Sequence, residues 1–298
     1  MSYWARFVER VEGMAVAPAT FRFRDGAGVE TEFLAPHVRA RVRRTTSIAG
    51  DEYQFVRANT TRTPKITLPS PATMHFWRGR QGVDPAAYSD LDAYFDDLAR
   101  VYREEIADLA TQGCRYVQLD DVPLAMLASL EVRNQLRASG DDPEALIDRY
   151  IRLTNASVAP RPAGMTIAMH FCRGNFKGRW LSEGGYEPVA ERLFNRVEVD
   201  TFFLEYDTQR AGDFRPLRFV PATKSIVLGL ISTKTPLLEK PAALRRRIDD
   251  AGAFVTPEQV GISPQCGFAS TVGGNPLSID DERRKLELVV EVARAVWG

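Results

Sequence analysis

Apolar residues along the 298-residue chain fall into two alternating patterns. Short, nearly continuous apolar runs occur at "KITLPSP" (65–71), "YVQLDD" (116–121), "MTIAMHFC" (165–172), "VDTFFLEYD" (199–207), "SIVLGLIS" (225–232) and "VGISPQCG" (260–267). Such continuity marks strands buried on both faces. Between the runs lie longer stretches with apolar residues at helical spacing. One of them, "DPAAYSDLDAYFDDLARVYREEIADLATQG", ends in Gly113, a C-cap residue. "DPEALIDRYIRLTNASVA", "GGYEPVAERLFNRV", "KPAALRRRIDDAGAFV" and "IDDERRKLELVVEVARAVWG" behave the same way. Strand–helix alternation of this kind predicts right-handed crossovers and a mainly parallel sheet. Residues 1–60 differ. "FRFRDGAGVETEFLAPHVRARVRR" alternates with a period near two around "DGAG", which predicts a β-hairpin. The chain therefore shows six strand–helix units, where a closed (β/α)8 barrel has eight. No internal repeat or linker divides it, so residues 1–298 read as a single domain.

Composition narrows the classes. Lys plus Arg equals Asp plus Glu at 39 each, so the net charge is zero. Without a basic run there is no electrostatic reason to expect a nucleic-acid or membrane partner. No apolar stretch approaches the roughly 20 residues of a membrane span. "MSYWARFVERVEG" carries charges before any apolar core forms, unlike a signal peptide. The three cysteines, Cys114, Cys172 and Cys266, are odd in number and far apart. They form no disulfide framework and fit a reducing cytoplasm, where thiols are free to bind metal.

Candidate chemistry clusters where the runs end. "YVQLDD" ends in Asp120 and Asp121, "MTIAMHFC" in His170 and Cys172, and "VGISPQC" in Cys266, while "TFFLEYD" offers Glu205 and Asp207. In parallel α/β architectures the C-terminal strand ends face the active site. A glutamate in a run as apolar as "TFFLEY" is costly to bury unless something compensates it. One imidazole, two thiols and one carboxylate are zinc-type donors. Paired Cys-X2-4-Cys knuckles of structural zinc sites are absent. Scattered donors suit a zinc that exchanges one ligand for an incoming thiol, which then reacts as thiolate. Cys114 has no ligand-type neighbour in the sequence and reads as packing.

These residues resemble the catalytic domain of the cobalamin-independent methionine synthase family, over roughly residues 60–298. The resemblance implies an α/β fold of the TIM (β/α)8-barrel type, here lacking the first two strand–helix units and carrying the N-terminal β-hairpin as an insertion. It implies zinc as cofactor and methyl transfer from 5-methyltetrahydrofolate to homocysteine. "HFCRGNF" resembles the family's His-X-Cys motif, which makes His170 and Cys172 zinc ligands. "FFLEYDTQRAGDF" resembles the strand carrying its Glu ligand, Glu205, and "SPQCGFAS" its Asp-Cys-Gly motif, with Cys266 as ligand. "QLDDVPLAML" is similar to the Asp-Glu-Pro strand; Asp120 would hold the substrate amino group, and Asp120 and Asp121 are the candidate catalytic acids. "PATMHFWRG" resembles the strand whose Trp stacks on the pterin, which falls on Trp77; simple packing explains that residue equally well.

The chain departs from the pattern in three places. Neither the Gly-Ser motif of the first strand nor the early substrate-binding Glu has a counterpart. The seventh-strand His is replaced in "LGLISTKTP" by Ser232, Thr233 and Lys234. The chain thus reads as a short, N-terminally incomplete member of the family. Its two uncovered strand edges, at 65–71 and 260–267, favour association with another copy into a homo-oligomer. Three functions follow in order: zinc-dependent methyl transfer to a thiol; the same chemistry with another donor, such as an epoxide or a simpler methyl donor; and a non-catalytic barrel that binds zinc or a thiol.

Overall fold

The computed structural model describes residues 3–24, 30–269 and 271–298. Among the described residues there are ten strands: β1 (Val11–Pro18), β2 (Phe23–Arg24), β3 (Glu30–Thr31), β4 (Leu34–Arg44), β5 (Ile66–Pro69), β6 (Tyr116–Asp121), β7 (Thr166–Phe171), β8 (Thr201–Glu205), β9 (Ser225–Ser232) and β10 (Val260–Gln265). The last six are the six apolar runs. They form one parallel sheet in simple chain order, from β5 at one edge to β10 at the other. Among the described residues no further strand pairs with either edge. The sheet is open, and its edges are the two expected from the sequence.

The helices are α1 (Ala5–Arg10), α2 (Gly50–Ala58), α3 (Thr73–Phe76), α4 (Leu91–Thr111), α5 (Pro123–Met126), α6 (Leu130–Ala138), α7 (Pro143–Val158), α8 (Ala190–Arg196), α9 (Pro241–Ala251) and α10 (Ile279–Trp297). Local chemistry sets their ends. Asp90 caps α4 by accepting from the Asp92 N–H, and Asp142 caps α7 ahead of Pro143. Ser278 and Asp281 cap α10 reciprocally. Gly113, just past α4, takes φ +97°, a conformation that glycine adopts without penalty. No described helix is long and apolar enough to cross a membrane.

The N-terminal region is a separate layer. The "DGAG" turn (25–28) lies outside the described residues. A two-rung antiparallel ladder flanks it, pairing Phe23 with Thr31 and Arg24 with Glu30. The alternating segment that follows finds a different partner: β4 pairs antiparallel with β1, a strand the sequence pattern did not predict. Val38 and Val42 of β4 face the core, and Arg44 reaches α4. Phe7 of α1 stacks on Tyr102 of α4, with centroids 4.8 Å apart.

Glu105 of α4 ties this layer down. Fully buried, it accepts from the Ile48 and Ala49 N–H groups at 2.9 and 2.8 Å and from Arg44 Nε at 2.8 Å. Glu105→Leu would strand two buried amides and weaken the hold on Arg44. It should lower stability by about 3 kcal/mol, read as a lower urea midpoint at unchanged m-value.

Candidate metal centre and substrate cavity

Strand periodicity sets the site. His170 and Cys172 stand two apart at the end of β7 and share a face, while Phe171 between them turns away and packs on Phe202. Asp120 is the register partner of His170 across the β6–β7 pair. Cys266 follows β10 directly. The donor atoms of His170, Cys172 and Cys266 all lie within 4.8 Å of one another. His170 Nε2 is 3.6 Å from Cys266 Sγ. Yet β7 and β10 are three strands apart in the sheet. In a flat sheet that separation would be about 14 Å, three spacings of about 4.8 Å. The meeting of these side chains therefore requires the sheet to curl around them.

Cys266 sits in the left-handed region at φ +56°, uncommon for a residue with a Cβ and typical of functional positions. Gln265 steadies it by donating from Nε2 to Cys266 Sγ at 3.1 Å. Gly229 of β9 makes room for the Gln265 side chain, because a Cβ there would lie 2.4 Å from Gln265 Oε1 and 3.0 Å from the Leu204 carbonyl.

Electrostatics favour a thiolate. The neighbouring Cys172 thiol, then His170 and Lys234, pull Cys266 down to about 6 against the effect of burial. Cys172 moves the opposite way, pushed well above its ordinary value by Cys266 and by burial. Burial opposes a charged His170, but Cys266, Asp120 and Glu205 outweigh it and raise the ring.

A cavity of about 110 Å³ opens on the trio. Asp120 and Trp77 line it with the three donors. Asp120 accepts from Gln118 Nε2 at 2.7 Å, and burial raises its carboxyl. Trp77 both packs and lines: it lies 5.8 Å from Trp4, 5.4 Å from Phe33 and 5.3 Å from Phe76, centroid to centroid. Tyr3, Trp4, Asn175, Phe176 and Leu181 also face the cavity, and the sequence reading missed them. The aromatic pair "YW" beside the N-terminus was a visible signal, but nothing in its spacing placed it against strand ends.

Two of the candidate site residues hold other partners: Asp121 on the opposite face of the strand, and Glu205 close enough to the trio to raise His170. Asp121 does not line the cavity. One step along the pleat turns it to the opposite face, where its carboxyl accepts from Ser70 Oγ at 2.6 Å and from the Leu124 N–H at 2.7 Å, anchoring the start of α5. Glu205 is not among the converging donors. Its Oε2 accepts from the Arg173 N–H at 2.5 Å, and Lys234, Arg173 and Arg210 surround it. Burial would raise this carboxyl, but those three cations outweigh it and hold it below the ordinary range. Cys114 is buried and donates to the Tyr116 carbonyl at 3.4 Å, a packing role as expected.

A curled parallel sheet with imidazole and thiols converging at its C-terminal edge is the frame of an α/β enzyme that works at its strand ends. Residues 7–295 match the cobalamin-independent synthase catalytic domain, and the chain belongs to that family. YxjH of Bacillus subtilis, an uncharacterized protein, is 42% identical over 255 residues, covering 85% of this chain and 67% of its own length. The methionine synthase of Pyrococcus furiosus is 25% identical over 251 residues, covering 83% of this chain and 61% of its own. The chain thus spans about two thirds of the curated relatives it matches. A Listeria monocytogenes crystal structure, assigned as a vitamin-B12 independent methionine synthase, superposes with a TM-score of 0.71 at 31% identity, covering 98% of this chain and 78% of that one. The family and these neighbours indicate methyl transfer of the cobalamin-independent methionine synthase kind.

Two outcomes follow from the geometry. Gly229→Ala should displace Gln265 and with it Cys266, lowering stability by about 1–3 kcal/mol; thermal melts of the variant check this. Burial raises Asp121 to about 7. A carboxyl held above its unfolded value stabilises the fold fully below about pH 4, and that contribution is lost as pH rises through about 7. Stability of the wild type should therefore fall across that window relative to Asp121→Asn. Urea midpoints of both proteins over a pH series measure it, and a gap independent of pH would mean that Asp121 is ionised in the fold.

Proposed function

We propose that residues 1–298 act as one catalytic unit that transfers a methyl group from 5-methyltetrahydrofolate or a similar donor to a thiol such as homocysteine, with zinc held by His170, Cys172 and Cys266 and with Glu205 as the fourth ligand, the one that yields to the incoming thiol. The observation that carries this reading is the convergence of one imidazole and two thiols, from strands three places apart, on a single cavity. The donor set fits the metal. Borderline-soft zinc favours sulfur and nitrogen, and one of the two sulfurs is already drawn towards thiolate. Zinc bound there would strip the proton from an incoming thiol and leave a nucleophile at neutral pH.

The chain's own residues do the rest. Asp120 lies beside His170 on the same face, placed to accept the ammonium of an amino-acid thiol. Trp77 and Trp4 give the cavity aromatic walls for the donor's flat ring, and Leu181 and Phe176 help exclude water. The substrate sulfur attacks the methyl carbon in line. The carbon–sulfur bond forms as the donor's carbon–nitrogen bond breaks, and the donor nitrogen takes up a proton. Positioning supplies much of the rate, since two substrates are held in one orientation.

Cavity size favours a second reading. Ligand pockets usually measure about 300–1,000 Å³, and this one is about 110 Å³. A smaller methyl or alkyl donor, an epoxide among them, would fit the same thiol chemistry. An activity panel on zinc-loaded protein decides between them, with several thiols against methylfolate, simpler methyl donors and epoxides.

Metal analysis should find about one zinc per chain in protein purified without chelator. Cys172→Ser and Cys266→Ser should each lose most of it, while Cys114→Ser keeps it. Full zinc retention in both of the first two variants would place the metal elsewhere.

A further inference from the structure

A line of polar side chains runs from the start of β5 to the cavity, and its last member, Asp120, lines that cavity. Tyr116, Gln118 and Asp120 alternate along β6 and share one face of the sheet. Gln118, 8% exposed, donates from Nε2 to Asp120 Oδ1 at 2.7 Å. Its Oε1 accepts from Lys65 Nζ at 2.6 Å. Lys65 is half-buried just before β5, with Nζ 4.3 Å from the Phe203 ring centroid and 5.7 Å from that of Tyr116. Burial lowers its ammonium, and Asp120 is the charge that opposes this. Lysine can only donate, so its partner on Gln118 must be the amide oxygen. The amide nitrogen is then turned to Asp120, and it too can only donate. Reversing the amide would set donor against donor at one end and oxygen against oxygen at the other.

We propose that Gln118, fixed by Lys65, is the positioning residue that aims the Asp120 carboxylate at the ammonium of an amino-acid thiol, and so sets a preference for thiols that carry an amino group. The inference rests on the proposed role of Asp120. With Oδ1 held by the amide, Oδ2 is left for the incoming ammonium. An unheld carboxylate turns readily about its terminal torsion, which is broad and two-fold, and would have to be ordered as substrate binds. A neutral amide suits this task better than a cation. It orients the acid without neutralising it, whereas an ammonium placed directly on Asp120 would compete with the substrate's own charge. Acting through Gln118, Lys65 instead polarises the amide and strengthens its bond to the acid.

The test is thiol binding to the zinc-loaded full chain by titration calorimetry, with homocysteine and with mercaptobutanoate, the same thiol without its amino group. Wild type should prefer homocysteine. Gln118→Met should cut that preference by about tenfold, by weakening homocysteine alone. Lys65→Met, which frees the amide to turn, should cut it by about threefold, and Lys65→Arg, again a pure donor, should restore it. Asp120→Asn should abolish the preference, and Gln118→Met added to it should change nothing further, since the amide acts through the acid. Equal weakening of both thiols in Gln118→Met would make Gln118 a packing residue and overturn the proposal, as would a second loss of preference in the Asp120→Asn background. Lys65→Met, at a half-buried site, supplies the readout should Gln118→Met fail to fold. A wild type that binds both thiols equally would take the ammonium away from Asp120 and overturn the proposal, while leaving the thiol chemistry intact. A wild type that binds neither would instead sink the thiol reading itself.

Discussion

Curvature of the parallel sheet is the constraint on which the rest depends. Each strand twists in the same sense, and six in chain order with helical crossovers accumulate that twist in one direction. The curl brings the ends of β7 and β10 together, and without it the imidazole and the second thiol would not share a space. Everything at the strand ends follows from the curl. Asp120 and His170 meet by register. Trp77 meets Trp4 because the N-terminal layer lies over the same rim. The loop after β7 folds back so that Leu181 N–H donates to the Arg173 carbonyl at 2.8 Å, which brings Phe176 and Leu181 to the cavity.

Buried charge is the second organising element. Glu105 gathers the amides of Ile48 and Ala49; Lys285 of α10 is fully buried and donates to Glu239 at 3.0 Å, while Glu239 accepts from the Ser232 N–H at 2.8 Å. That chain of contacts ties the last helix to the end of β9, one residue before Thr233, whose hydroxyl donates to the Gln265 carbonyl. The charged interior therefore stiffens the segments on which the donors stand, rather than merely filling space.

Much of this was legible in the sequence, and the reasons differ by element. The six strands of the parallel sheet were legible because burial on both faces leaves a continuous apolar run, a signal independent of what lies beside it. His170, Cys172 and Cys266 were legible because reactive side chains at strand ends share one level in a parallel sheet. Asp121 misled because the doublet "DD" has two members and a strand offers each face only one. Glu205 is a different case. A ligand-type residue in an apolar run signals that something compensates it, and the sequence could not say whether metal or cations do so; Arg173, Arg210 and Lys234 are scattered over about 60 residues and meet only in the fold. The pairing of β4 with β1 escaped because antiparallel pairing across 20 or so residues leaves no local mark.

The backbone of Cys266 carries a consequence for how the chain can change. Its left-handed φ costs a residue with a Cβ roughly 1–3 kcal/mol, a cost that glycine would escape. Drift towards greater stability at this position therefore runs through loss of the thiol. A lineage freed from selection on its chemistry would gain robustness by trading the sulfur for a hydrogen, so at this position the fold and the thiol chemistry pull in opposite directions.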